Sequence, residues 1–290
     1  MKLTTNYLSG DQKLSHVDKI IYTLFFFKEM LFEKTCKINY KEEINIKEFI
    51  DFLSYQSVTK LLKHKTPGRV ACDYFTLKFL NNNFNRNKKI NILEIGCGEG
   101  HYSQYFKKYF RSVNYLGIDV AKNTKWKYFS QKNFVFCEYE LGENNDKLRN
   151  IISNKPDFIF STSVLQHIKN DVSALLELEK ISHKKTKNLH FVPAPISFIN
   201  YLKMGFRRYN INDFLRLQKI IKKNIEINYL GNHYTLKTYF DFYNLSLSKK
   251  HPIFDFLKTN NFYKLKNKNL LNEIIFSKKY QYPVFYQLDF

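Results

Sequence analysis

Acidic and glycine residues set at short, regular spacings form the densest chemical pattern in this 290-residue chain. The segment Ile90-Asn91-Ile92-Leu93-Glu94-Ile95-Gly96-Cys97-Gly98-Glu99-Gly100-His101 puts Glu94 two residues ahead of three alternating glycines, and Gly117-Ile118-Asp119-Val120 follows. Glycines at Gly96, Gly98 and Gly100 let a strand turn tightly into a helix and let the backbone approach a ligand closely. Asp119 ends a second apolar run, where a carboxylate can accept from both hydroxyls of a ribose. The chemistry implied is the holding of a nucleotide-type ligand at the carboxyl edge of a parallel sheet.

The loop itself narrows the ligand. A dinucleotide fingerprint spaces its glycines G-x-G-x-x-G, but position 101 is His101. A phosphate-cradling loop needs Gly-Lys-Ser/Thr, which is absent. Glu94 would repel a pyrophosphate yet suits a ligand carrying an ammonium and a sulfonium. Glu94-x-Gly96-x-Gly98-x-Gly100 resembles motif I of the class I S-adenosylmethionine-dependent methyltransferases, and the resemblance extends over about residues 90–230. It implies S-adenosylmethionine as cofactor, held by Glu94, Gly96, Cys97, Gly98, Gly100, Asp119 and Val120. Glu138 falls where the family places an acid or amide near the adenine amino group, with Glu140 as a competing assignment. Pro156–Ile168 resembles the fourth-strand segment of the ubiquinone-biosynthesis type, and it implies Ser161–Ser163 beneath the sulfonium.

His167, within that segment, carries two readings. A neutral imidazole can take a proton from a substrate hydroxyl near neutral pH; the same position suits a residue that orients the loop. His190 falls inside a buried strand and reads as structural, while His233 follows a strand end and could face substrate. Tyr74 and Arg69 precede the sheet, where helix packing and closure over the cofactor are both open. Phe206-Arg207-Arg208-Tyr209 could hold a phosphate or carboxylate, or stack on a sugar. No Asp/Asn-Pro-Pro-aromatic motif follows the fourth strand, no Pro-Cys pair supplies a nucleophile, and no acid–histidine cluster points to a metal. What remains is in-line transfer to an oxygen or nitrogen, oxygen being favoured, and the resemblance to small-molecule methyltransferases implies a small molecule or surface-glycan precursor as acceptor. The alternatives are an RNA methyltransferase and a catalytically silent interaction module, which the intact Glu94, glycines and Asp119 disfavour.

The positioning elements follow from periodicity. Strands at 91–95, 113–118, 133–137, 157–161 and 187–192 alternate with helices at 101–110, near 122–130, near 143–153 and at 171–182. This predicts a Rossmann-like, doubly wound, mainly parallel α/β sheet. A helix at Asn212–Lys223 and a strand at Ile225–Leu230 follow. The last strand is Tyr282–Leu288 or Asn272–Phe276. Residues 1–88 form an N-terminal helical extension, 89–230 the cofactor-binding core and 231–290 a C-terminal addition on the substrate side. Within the extension, Val17–Phe32, Ile46–Leu62 and Val70–Leu80 read as helices, with a break at Thr66-Pro67-Gly68. The apolar residues of Ile20–Phe32 run almost all round their helix and imply burial against the main domain or a partner.

Composition bounds the rest. The chain is 44% hydrophobic and 17% aromatic, ample for one large domain with additions. Cys36, Cys72, Cys97 and Cys137 are scattered without a C-x-x-C pair, which suits a reducing cytoplasm. Ile20–Phe27 is too short to span a bilayer, and no signal peptide is evident near Met1. The net charge of +21 favours anionic partners such as nucleic acid. Nearly all the excess is lysine spread along the chain, in a composition typical of AT-rich coding, so nucleic-acid binding is not favoured. Oligomeric state is not encoded in any of these patterns.

Overall fold

The alternating pattern becomes one seven-stranded sheet of order β3-β2-β1-β4-β5-β7-β6 in a computed structural model. The structure describes residues 15–33, 67–143, 147–194, 209, 211–230 and 285–290. In chain order the elements are α1 (His16–Glu33), α2 (Pro67–Asn83), β1 (Lys89–Ile95), α3 (His101–Tyr109) and β2 (Ser112–Asp119). They continue with α4 (Trp126–Phe129), β3 (Phe134–Glu138), α5 (Lys147–Ile151), β4 (Phe158–Thr162), a 3-10 turn (Leu165–His167) and α6 (Asp171–Ile181). β5 (Lys187–Pro193), α7 (Ile211–Ile221), β6 (Glu226–Leu230) and β7 (Phe285–Asp289) complete them. The chain divides into two compact units: residues 1–36, 80–227 and 287–290 form one, and residues 37–79 and 228–286 the other.

Parallel pairing runs β3-β2-β1-β4-β5, with Glu94 beside Gly117 and Phe160, and Ser161 beside Ile95 and His190. β1 is buried along most of its length, as a central parallel strand covered on both faces must be. On one face Phe106 of α3 meets Phe158 and Phe160 edge-on, with ring centroids 5.9 and 5.5 Å apart. α6 buries Ala174, Leu175, Leu178 and Ile181, the spacing of a single helical stripe. Beside β5, the Asn188 N–H donates to the Phe290 carbonyl (2.9 Å) and the Phe290 N–H donates back (3.4 Å), the reciprocal bonding of an antiparallel neighbour.

Several sequence expectations shift. The predicted helix near 122–130 shrinks to Trp126–Phe129, because Asn123 takes up the preceding turn through Lys125 N–H to Oδ1 (2.9 Å). Pro67, read as a break, is the first residue of α2, where its missing N–H has no helical acceptor to lose. Along α1 the side chains of Val17, Ile20, Leu24 and Phe27 are exposed, so the main domain does not cover this stripe. Phe285–Asp289 answers to the expectation of a last strand at Tyr282–Leu288; the alternative at Asn272–Phe276 lies outside the described residues. So do the helix at Ile46–Leu62, Phe206–Arg208 and His233. No described helix is long and apolar enough to cross a membrane.

His190 is structural, as expected. Its Nδ1 shares a 2.8 Å hydrogen bond with Ser161 Oγ, its ring lies on Phe290 at 5.4 Å, and its Nε2 is buried without a partner. Burial pushes its pKa from 6.5 down to about 3. A histidine kept neutral in the fold leaves stability intact above about pH 6.5 and withdraws it as pH falls toward 3. Between about pH 7 and about pH 5 the wild type should lose about 2 kcal/mol more unfolding free energy than His190→Gln, read by urea titration of both proteins.

Candidate active site

The glycine loop is held by its own backbone and by two side chains. Gly96, Gly98 and Gly100 all have positive φ (61°, 52° and 85°), a conformation L side chains resist. A Cβ on Gly96 would stand 2.3 Å from a Val164 methyl, and one on Gly100 would stand 2.7 Å from the Phe136 ring. Gly98 differs: no atom lies within 4 Å of where its Cβ would be, so its outer side faces open space. Its peptide is clamped from both ends. The Gly98 N–H donates to Asp119 Oδ2 (2.8 Å), and the Trp126 indole N–H donates to the Gly98 carbonyl (2.8 Å). Asp119 thus anchors the loop with one oxygen and is itself aimed by it.

In front of this loop, at the carboxyl edge of β1, β2 and β4, lies a cavity of about 890 Å³. Gly96, Asp119, Val120 and His167, all picked out in the sequence, line it together. Apart from Glu140, sequence reasoning missed its far wall, Tyr139–Glu143 after β3 and Lys169–Asn170 before α6. A turn glycine at Gly142 (φ 96°) and the Asn170-Asp171 helix start were the available signals. Ser163, expected beneath the ligand, is on the lining in a left-handed conformation (φ 58°), strain of the kind that concentrates at functional sites.

Glu94, Cys97, Gly98, Gly100, Glu138 and Ser161 are not on its lining. Glu94 is 2% exposed and accepts a 2.6 Å hydrogen bond from Tyr115 OH, under the loop. Cys97 is buried against Gly117; burial, then the Glu94 and Asp119 carboxylates, raises its thiol pKa so far that it stays protonated. Ser161 is buried on His190. Glu138 ends β3 on the surface, whereas Glu140, its competitor, is on the cavity lining. Among the described residues no His/Cys/Asp/Glu group could hold a metal ion.

The cavity's charge runs against that of the chain. Among the described residues, Asp119, Glu140 and Glu143 line it against the ammonium of Lys169, in a protein of net charge +21. With open space above Gly98 and the Asp119 carboxylate beside it, this lining fits a positively charged nucleoside, such as one bearing a sulfonium and an ammonium.

Comparison with known proteins agrees with the geometry. Residues 62–187 match the family described as a methyltransferase domain, while no curated protein sequence matches the chain. An S-adenosylmethionine-dependent methyltransferase from Mesorhizobium loti superposes with a TM-score of 0.50 at 10% identity, over 76% of this chain and 97% of that one. A putative sarcosine dimethylglycine methyltransferase from Galdieria sulphuraria gives 0.50 at 14% identity, over 75% and 83%. The plantazolicin methyltransferase BamL, in complex with a triazolic desmethylPZN analog and SAH, gives 0.49 at 16% identity, over 84% and 95%. The shared feature is the Rossmann-like methyltransferase fold. The family match covers residues 62–187, and the likeness to these solved structures is one of fold.

Proposed function

We propose that this protein transfers a methyl group from S-adenosylmethionine to an oxygen of a small molecule or surface-glycan precursor, in a cytoplasmic setting. The observation that carries the reading is the meeting of Gly96, Asp119 and His167 on one cavity at the carboxyl edge of β1, β2 and β4. When bound, S-adenosylmethionine supplies an electrophilic methyl group on a sulfonium, which departs as a neutral sulfide.

In this reading Asp119 takes the ribose hydroxyls, with its second oxygen free of the Gly98 N–H. Glu140 takes the adenine amino group in place of Glu138, since of these two acids only Glu140 is on the lining. Gly98 leaves the backbone open to close approach. His167, in the turn that follows β4, receives the proton of the acceptor hydroxyl on a ring nitrogen as the oxygen attacks. Positioning of acceptor and methyl group in line supplies most of the rate, and the protein's part in that is the shape of the cavity.

The test joins binding to transfer. Calorimetry should give micromolar binding of S-adenosylhomocysteine, and label from methyl-tritiated S-adenosylmethionine should pass to hydroxylated saccharide acceptors in preference to bulk RNA. Absence of binding would sink the enzyme reading. Tight RNA binding that persists at physiological salt, with label in the RNA, would move the acceptor to nucleic acid.

A further inference from the structure

The cavity's far wall is held by a residue that stands outside it. Glu177 lies on α6, is 4% exposed, and spends both carboxylate oxygens on the segment after β3. Oε1 accepts from the Tyr139 hydroxyl, and Oε2 accepts from the Gly142 N–H at 3.0 Å. These two contacts bracket Glu140 and Leu141, and all four residues of this segment are on the cavity lining. The same segment is tied to the ribose side, because the Tyr139 N–H donates to the Asp119 carbonyl at 2.7 Å. Its other side is closed as well, since a Cβ on Gly142 would stand 2.9 Å from the Asn170 carbonyl oxygen.

Burying a carboxylate is costly unless its oxygens are matched, and a short loop does not by itself hold one shape. The structure matches the one need with the other. Leu175 and Leu178, which flank Glu177 in α6, are packed in the core, so the carboxylate is presented from a rigid element.

We infer that Glu177 is a positioning residue for cofactor binding: through Tyr139 and Gly142 it sets the wall that receives the nucleoside end of S-adenosylmethionine. The assignment rests on the methyltransferase reading above and extends it to a residue that does not touch the ligand.

Calorimetry on the full chain with two probes, S-adenosylhomocysteine and 5′-methylthioadenosine, tests it. The second probe carries the nucleoside without the amino-acid end. Glu177→Ala should weaken both by about tenfold, by the same factor, because loss of a charged acceptor frees the loop that both probes use. Glu177→Gln retains an acceptor for Gly142 and a polar partner for Tyr139, and should stay within about threefold of wild type. A residue that only stabilises the fold would lower the melting temperature and the fraction of binding-competent protein without changing the dissociation constant. Unchanged constants in Glu177→Ala would therefore overturn the assignment. So would a loss seen with S-adenosylhomocysteine and not with 5′-methylthioadenosine. Where Glu177→Ala fails to fold, hydrogen exchange in Glu177→Gln decides: the Gly142 amide should stay protected, and an amide exchanging freely at unchanged affinity overturns the assignment. Wild-type protein that binds neither probe overturns the cofactor reading as well.

Discussion

Asp119→Ala is expected to weaken S-adenosylhomocysteine binding by at least about a hundredfold while leaving the melting temperature within a few degrees of wild type. Two ribose hydroxyls lose a charged acceptor, and bonds of that kind contribute about 1.5–3 kcal/mol each, so the loss of two corresponds to two decades or more in affinity. The structure adds a second cause. The same carboxylate accepts the Gly98 N–H at 2.8 Å, so its removal also releases the middle of the glycine loop. Asp119 is only partly buried at the rim of the sheet, which is why the fold should survive. Asp119→Asn retains an oxygen acceptor and should lose only about tenfold, since one charged bond is weakened and none is left empty. Calorimetry with circular-dichroism melts of both variants reads the result; wild-type affinity in Asp119→Ala would remove this residue from the site. Gly96 is a poorer probe. An added side chain there meets Val164 at 2.3 Å, so a loss of binding could not be separated from damage to the fold.

His167→Ala should lower turnover by about a hundredfold or more, the usual contribution of a positioned base, with S-adenosylhomocysteine affinity nearly unchanged. The deficit should shrink as pH rises, because an acceptor hydroxyl that ionises in solution no longer needs the imidazole. His167 lines the cavity from the 3-10 turn after β4, whereas the nucleoside wall is held by Glu177 and the Asp119 carbonyl, so truncating it should spare that wall. Single-turnover transfer from labelled S-adenosylmethionine, measured across a pH series, separates the two roles that the sequence left open. A fall in cofactor affinity parallel to the fall in turnover would make His167 a structural member of the cofactor loop. The base would then have to be sought at His233 or among the tyrosines other than Tyr139, whose hydroxyl donates to Glu177.

Much of this was legible in the chain because the signals are local. Alternating apolar runs of four to eight residues and helical stripes placed β1 to β5 and the helices between them within a few residues, since side-chain periodicity depends only on the neighbouring backbone. The glycine spacing and Asp119 marked the edge where the cavity lies for the same reason: positive φ and a strand-end acid are properties of a short segment. His190, read as buried and structural, followed from its place in an apolar run. Tertiary structure decided which of the marked residues look into the cavity. Glu94, Cys97 and Ser161 lie in the same short segments as Gly96 and Ser163. Yet alternation across the sheet sends Glu94 to Tyr115 and Ser161 to His190, and the register that pairs them is set by strands remote in the chain. The choice of Glu140 over Glu138 at the lining depended on where β3 ends against β2. Glu177 was beyond reach of any local pattern. It reads as one more acid on an amphipathic helix until the fold lays that helix against a loop 35 residues upstream and leaves it two hydrogen bonds to accept.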